Sequence, residues 1–148
     1  MVDKIIFLDV DGVLNSERTI RANNSSGYYY LDPVAVGLIR DLVDKTGAKI
    51  VVSSTWRYAG DHVTTQLYVA GFHLMDFHND SITPVLVNGK RGDEVNSWLS
   101  EHPEVETYVC IDDDSDFFDY QNLINVDGRN GFSAQNHQDA LDIFKQQE

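Results

Sequence analysis

Three short apolar runs, Ile5-Ile6-Phe7-Leu8, Ile50-Val51-Val52 and Val109-Cys110-Ile111, each break off at once into polar residues. The first leads to Asp9 and Asp11, the second to Ser53-Ser54-Thr55, the third to Asp112-Asp113-Asp114. A strand that is apolar on both of its alternating faces must be covered on both sides, which is the situation of an internal strand in a parallel sheet. The segments between the runs fit that demand. Asp32 and Pro33 read as the N-cap and first position of a helix over 33–46, with Val34, Leu38 and Leu42 as its apolar face and Gly47 beyond its end. Further helices are predicted over about 61–70, with Val63 and Leu67 inward, and over 91–101, burying Val95, Trp98 and Leu99. Ser133 caps a last helix that buries Ala140, Leu141 and Phe144. Strands are predicted over 4–9, 48–53, 105–111 and 123–126, with short ones around 82–87. Strands alternating with amphipathic helices imply an α/β fold, a doubly wound parallel sheet with helices on both faces, here as one domain over 1–148. Ligands of such sheets bind outside the carboxyl ends of the strands. The three polar sets are therefore expected to converge, although a hundred residues separate the first from the last.

Charge narrows the partners. Twenty-four acidic residues against eleven basic ones give a net charge of −13 over 148 residues, a field that disfavours non-specific nucleic-acid binding and membrane surfaces. No apolar stretch approaches the roughly 18–20 residues of a membrane span. Asp3 and Lys4 precede a four-residue apolar run that ends in acid, unlike a secretory leader, so a cytoplasmic location is expected. The single Cys110 reads as a core thiol. The five histidines show no ligand spacing along the chain, and a histidine-bound metal is not expected.

The segment Asp9-Val10-Asp11-Gly12-Val13-Leu14 places two carboxylates two residues apart at a strand end, followed by a glycine suited to a sharp turn. A calcium loop of the EF-hand type has its glycine at the sixth position, whereas Gly12 is the fourth residue from Asp9. The segment resembles instead the first motif of the haloacid dehalogenase (HAD) superfamily of phosphohydrolases, and the remaining motifs follow in order. The second strand ends in Ser53-Ser54-Thr55-Trp56-Arg57, the basic pair Lys90-Arg91 precedes a helix, and Ile111-Asp112-Asp113-Asp114-Ser115-Asp116 supplies an acidic fourth motif. The strings around Trp56, Arg91-Gly92-Asp93-Glu94-Val95 and Asp112 are similar to a compact branch that includes the HAD domains of Swiss Army Knife RNA repair proteins.

That resemblance implies a Rossmann-like fold and a Mg²⁺-dependent phosphatase. Asp9 is then the nucleophile that forms an aspartyl-phosphate, and Asp11 protonates the leaving oxygen and deprotonates the hydrolytic water. Asp9, the Asp11 carbonyl and Asp112 are the implied Mg²⁺ ligands, with Asp113 binding directly or through water. Ser54 is the expected phosphate-binding hydroxyl, with Ser53 as the alternative because neighbouring strand residues point oppositely. Gly12, Thr55 and Arg57 are expected beside the substrate, Arg57 either gripping a second anion or pairing with an acid. The catalytic cation is Lys90, the usual residue type, or Arg91, which occupies the branch's own basic position. Asp116 either orients that cation or faces solvent.

No independent cap domain fits between Asp11 and Ser53, so the site is expected to be open or covered only by partial lids from 16–31 and 58–89. Open sites suit exposed phosphate ends, and Arg18, Arg21 and Tyr28-Tyr29-Tyr30 could meet a phosphate and a base. The expected substrate is a phosphorylated nucleotide or polynucleotide end. Two other classes compete: a catalytically idle binding module with this fold, and a receiver-like phospho-acceptor domain, whose order of acidic, hydroxyl and basic residues differs.

Overall fold

The computed structural model describes residues 4–22, 31–56 and 62–146. The three apolar runs become neighbours in one sheet. β1 (Lys4–Leu8) lies at its centre, with β2 (Lys49–Val52) on one side and β4 (Thr107–Asp112) on the other. β3 (Phe77–Ile82) pairs with β2 and β5 (Leu123–Asn125) with β4, giving the order β3-β2-β1-β4-β5 with every pairing parallel. The helices are α1 (Glu17–Ala22), α2 (Pro33–Thr46), α3 (His62–Val69), α4 (Arg91–Ser100) and α5 (Ala134–Gln146). This is the Rossmann-like α/β arrangement expected from the sequence.

Alternation along the strands divides the core in two. Ile6, Leu8, Ile50, Val52, Val109 and Ile111 pack toward α2, α3 and α5, while Ile5, Phe7, Val51 and Cys110 pack toward Val95 and Trp98 of α4. Trp98 sets its ring edge to face on Phe7, centroids 5.3 Å apart, and its indole N–H donates to the Asp80 carbonyl at 3.1 Å. A buried indole with its N–H satisfied adds both packing and orientation.

The caps of α2 and α5 form as expected. Asp32 accepts the Val34 N–H at 2.9 Å, and the Ser133 hydroxyl accepts the Asn136 N–H at 3.1 Å. The apolar face of α2 differs from the expectation. Its buried residues are Ala35, Val36, Ile39, Leu42 and Val43, whereas Val34 is 67% exposed. A strict spacing of four advances 400° and drifts around a helix of 3.6 residues per turn, so a face needs mixed steps of three and four. β3 also lies earlier than the 82–87 expected for it. It is an edge strand with the mixed sequence Phe-His-Asn-Asp-Ser-Ile, and an edge needs no continuous apolar run. The apolar residues Val85, Leu86 and Val87 that suggested a strand are exposed in the following loop. Between β1 and α2 the described residues hold only α1, six residues long. Among the described residues, no helix is long and apolar enough to cross a membrane.

Candidate active site

Register delivers the first three site residues to one level. Leu8 pairs with Val52 on one side and with Ile111 on the other, so Asp9, Ser53 and Asp112 are each the next residue of adjacent strands. The Asp9 N–H donates to the Ile111 carbonyl at 3.0 Å and the Ser53 N–H to the Leu8 carbonyl at 2.8 Å, which carries the ladder to the carboxyl edge. The chain leaves β1 in one direction for β2 and β3 and in the other for β4 and β5. The acidic centre therefore sits at the point where strand order reverses, the crevice that open α/β sheets use for ligands.

Asp9 is 6% and Asp112 2% exposed, and together with Asp113 they bring carboxylate oxygens within 4.8 Å of one another. Burial, reinforced by the charge of Asp112 and a hydrogen bond with Asp113, pushes the Asp9 carboxyl up to about 9. Burial raises Asp112 to about 7, against the opposing pull of the Asp114 N–H and the Arg91 guanidinium. Two carboxyl groups buried side by side, with the exposed Asp113 next to them, repel one another and favour either protons or a cation. The Asp112 Oδ2 has no hydrogen-bond partner among the described residues. A buried carboxylate oxygen that accepts no hydrogen bond, beside two more carboxylates, fits a hard divalent cation such as Mg²⁺, which takes oxygen ligands.

Glycine shapes this centre. Gly12 has φ +82°, and a Cβ there would fall 2.2 Å from the Asp113 Oδ2. Asp113 occupies the room that a side chain at position 12 would need. Asp11 is held on both oxygens: the Asn15 amide donates to Oδ1 at 3.0 Å and the Trp56 indole N–H to Oδ2 at 3.1 Å. Asn15 in turn accepts the Gly12 N–H at 2.8 Å, closing a turn that ties the two carboxylates of the first motif together.

The hydroxyls divide. Ser53 Oγ is buried with no partner among the described residues, whereas Ser54 Oγ accepts the Trp56 N–H at 3.2 Å. Thr55 is exposed, and Arg57 lies outside the described residues. The basic pair divides as well. Lys90 is exposed just before α4, and its N–H donates to Asp93 at 2.9 Å. Arg91 instead sets its Nε 3.7 Å from the Asp112 Oδ2, with Nη1 buried and unpartnered among the described residues. Lys90 precedes the first turn and Arg91 begins it, so adjacent residues occupy different surroundings. Asp116 accepts the Arg91 N–H at 3.1 Å, and its carbonyl accepts the Gly92 N–H. A Cβ on Gly92 would come within 2.5 Å of the Gln121 Oε1 and 3.1 Å of the Phe117 Cα, so the absence of a side chain lets the 116–121 loop close on the start of α4.

A cleft of about 400 Å³ opens beside this centre, lined by Asp11, Gly12, Ile20, Asp113, Gly128 and Arg129 among others. Sequence reasoning missed Trp56 and Asn15 as partners of Asp11, and Arg129 as a cation on the cleft. The four-residue step from Asp11 to Asn15 was a usable local signal. Arg129 had none, because the connection after β5 reaches the site only through the sheet.

The chain has no significant match among curated proteins or solved structures. A family model does match, over residues 5–137, and these cover the described sheet from Ile5 of β1 through β5 and the whole acidic centre. The chain belongs to the family described as the HAD domain in Swiss Army Knife RNA repair proteins.

Proposed function

We propose that this HAD domain is a Mg²⁺-dependent phosphomonoester hydrolase that works through an aspartyl-phosphate on Asp9. One observation carries the reading: buried polar atoms of opposite character that make no hydrogen bond among the described residues, Ser53 Oγ and Arg91 Nη1 on one hand and Asp112 Oδ2 on the other, surround the same buried carboxylate. The donors suit a phosphoryl group and the acceptor suits a cation. Mg²⁺ held by Asp9, Asp112 and Asp113 would neutralise carboxylate and phosphate charge so that the two anions can approach.

In the first step an Asp9 oxygen bonds to phosphorus while the ester P–O bond breaks, and Asp11 gives its proton to the departing oxygen. In the second, water bonds to phosphorus as the aspartyl P–O bond breaks, and Asp11 takes the proton of the attacking water. Asn15 and Trp56 hold the Asp11 carboxyl in place for both transfers. Ser53, with its unpartnered Oγ, suits a phosphoryl oxygen better than Ser54, which is engaged by Trp56, and Arg91 suits the role of catalytic cation better than Lys90.

For the substrate we propose a nucleotide or a polynucleotide end. The family's occurrence in RNA repair proteins supports this, as does a cleft on the Asp11 side where a leaving group must lie, with Arg129 on its wall. The test is phosphate release by the wild type and Asp9→Asn with and without Mg²⁺. Substrates are an aryl phosphate, nucleoside 3′- and 5′-monophosphates, and oligonucleotides phosphorylated at either end. Release that needs both Mg²⁺ and Asp9, and is fastest on a nucleotide or an end, is expected. A phosphoprotein that forms but does not turn over would favour the receiver-like reading. Mg²⁺ binding without release from any substrate would favour the binding module.

A further inference from the structure

A second group of potential ligands lies far from Asp9, at the amino-terminal end of the sheet. His78 is the second residue of β3, and His102 and Glu104 lie in the connection from α4 to β4. One ligand atom from each of the three lies within 4.8 Å of the others. Spacing along the chain could not show this, because 24 residues and a whole helix separate the two histidines.

His102 has the outer carboxylate partner that metal-bound histidines usually have. The His102 ring stacks on Trp98, centroids 3.8 Å apart, and the indole is itself fixed by Phe7 and by the Asp80 carbonyl. One nitrogen of His102, Nε2, lies 2.8 Å from the Asp80 carboxylate, and the other, Nδ1, lies 3.1 Å from Glu104. A carboxylate on the far nitrogen is the usual way to fix the tautomer and orientation of a ligating imidazole. The separation of His102 Nδ1 and Glu104 is already close to the roughly 3.3 Å between donors of a tetrahedral centre with bonds of about 2.0–2.1 Å. His78 Nδ1 accepts the Asp80 N–H at 2.9 Å, so an ion bound at that nitrogen takes over the lone pair that this N–H now holds. The His78 ring centroid is 5.1 Å from that of His102.

We propose that His78, His102 and Glu104 form a site for a divalent transition-metal ion, zinc by donor type, with Asp80 as the positioning carboxylate on His102. Two imidazoles and one carboxylate match zinc better than Mg²⁺, which prefers oxygen alone. Three protein ligands leave a fourth position for water. The ion ties the α4–β4 connection to the edge strand β3, so its expected effect is on stability rather than on chemistry at Asp9. The site does not depend on the phosphatase reading.

The experiment is calorimetric titration with Zn²⁺ in saturating Mg²⁺, which occupies the acidic centre, on the wild type, His78→Ala, Glu104→Gln and Asp112→Asn. Glu104 is exposed, so its replacement by the isosteric amide leaves packing unchanged. One Zn²⁺ per chain is expected, weakened about tenfold or more in His78→Ala and Glu104→Gln and retained in Asp112→Asn. Co²⁺ in place of Zn²⁺ should give the intense visible absorption of a tetrahedral centre, lost in the same two variants. No saturable binding by the wild type overturns the proposal. So does binding that survives in His78→Ala and Glu104→Gln.

Discussion

Asp11 is positioned by two neutral donors, so the two-way proton traffic proposed for it would rest on those hydrogen bonds. Trp56→Phe keeps the ring's packing and deletes the N–H on Oδ2. A hydrogen bond to a charged group contributes about 1.5–3 kcal/mol, so kcat should fall roughly 10- to 100-fold with KM little changed, and the pH profile of kcat should move. Steady-state kinetics across pH decides it, and an unaltered profile would separate Trp56 from the proton transfers. Arg91 and Lys90 give a second comparison at this scale. Arg91→Ala removes the guanidinium 3.7 Å from Asp112, whereas Lys90→Ala changes an exposed chain. Phosphate release should drop at least about 100-fold in the first and under about threefold in the second. Equal losses would return the cationic role to Lys90. Arg91→Lys should recover little, since an ammonium cannot reproduce the planar fork.

Elements meet at this site through turns that leave no room. Gly12 lies just beyond β1, and Asp113 just beyond β4 fills the volume a Cβ would occupy. Gly12→Ala must both adopt a positive φ and displace the Asp113 carboxyl, so it should cost on the order of 2 kcal/mol or more in stability and weaken Mg²⁺ binding. Denaturant unfolding and Mg²⁺ calorimetry measure the two effects. Normal Mg²⁺ affinity in a destabilised Gly12→Ala would show that Asp113 is not part of the cation's surroundings. The same crowding explains Gly92, where the 116–121 loop packs against the start of α4 and so fixes Arg91.

At the scale of the molecule, the buried acids should couple stability to pH and, under the proposed function, to Mg²⁺. Asp9, near 9, and Asp112, near 7, both lie above the ordinary carboxylate value, with burial the largest cause for each. A carboxyl whose value is raised in the folded state binds protons more tightly there than in the unfolded chain. Its contribution is fully present below about pH 4 and is lost as pH rises toward 7 and then 9. Metal-free protein should therefore melt at progressively lower temperature from pH 5 to 9, each kcal/mol showing as roughly 2–4 °C. Mg²⁺ held by the ionised carboxylates, as proposed, should restore stability most at the alkaline end. Asp9→Asn should flatten the metal-free profile and melt above the wild type at pH 8. A wild-type profile that Asp9→Asn leaves unchanged would place the coupling elsewhere, in the general repulsion of a chain with a net charge of −13.

Much of this architecture is written in local pattern. Continuous apolar runs ending in polar residues specify internal parallel strands, because burial on two faces demands them, and the strand ends then specify where Asp9, Ser53 and Asp112 meet. Asp32 and Ser133 mark helix starts by side-chain oxygens that accept the first free N–H groups, and Pro33 and Gly47 mark helix ends by their backbone conformations. The edge strand β3 was not legible, since its sequence answers to one neighbour rather than two. The choice between Ser53 and Ser54, and between Lys90 and Arg91, lay beyond sequence as well, because adjacent residues share composition but not surroundings. Contacts between distant segments were beyond it altogether: Trp56 on Asp11, Arg129 on the cleft, and His78 beside His102 and Glu104. Periodicity records which face of an element is buried, and so the sequence by itself determined the sheet apart from β3, its layers and the edge that carries the acids. Which side chains touch across that edge depends on register, packing and loop closure, and only the tertiary structure decided those.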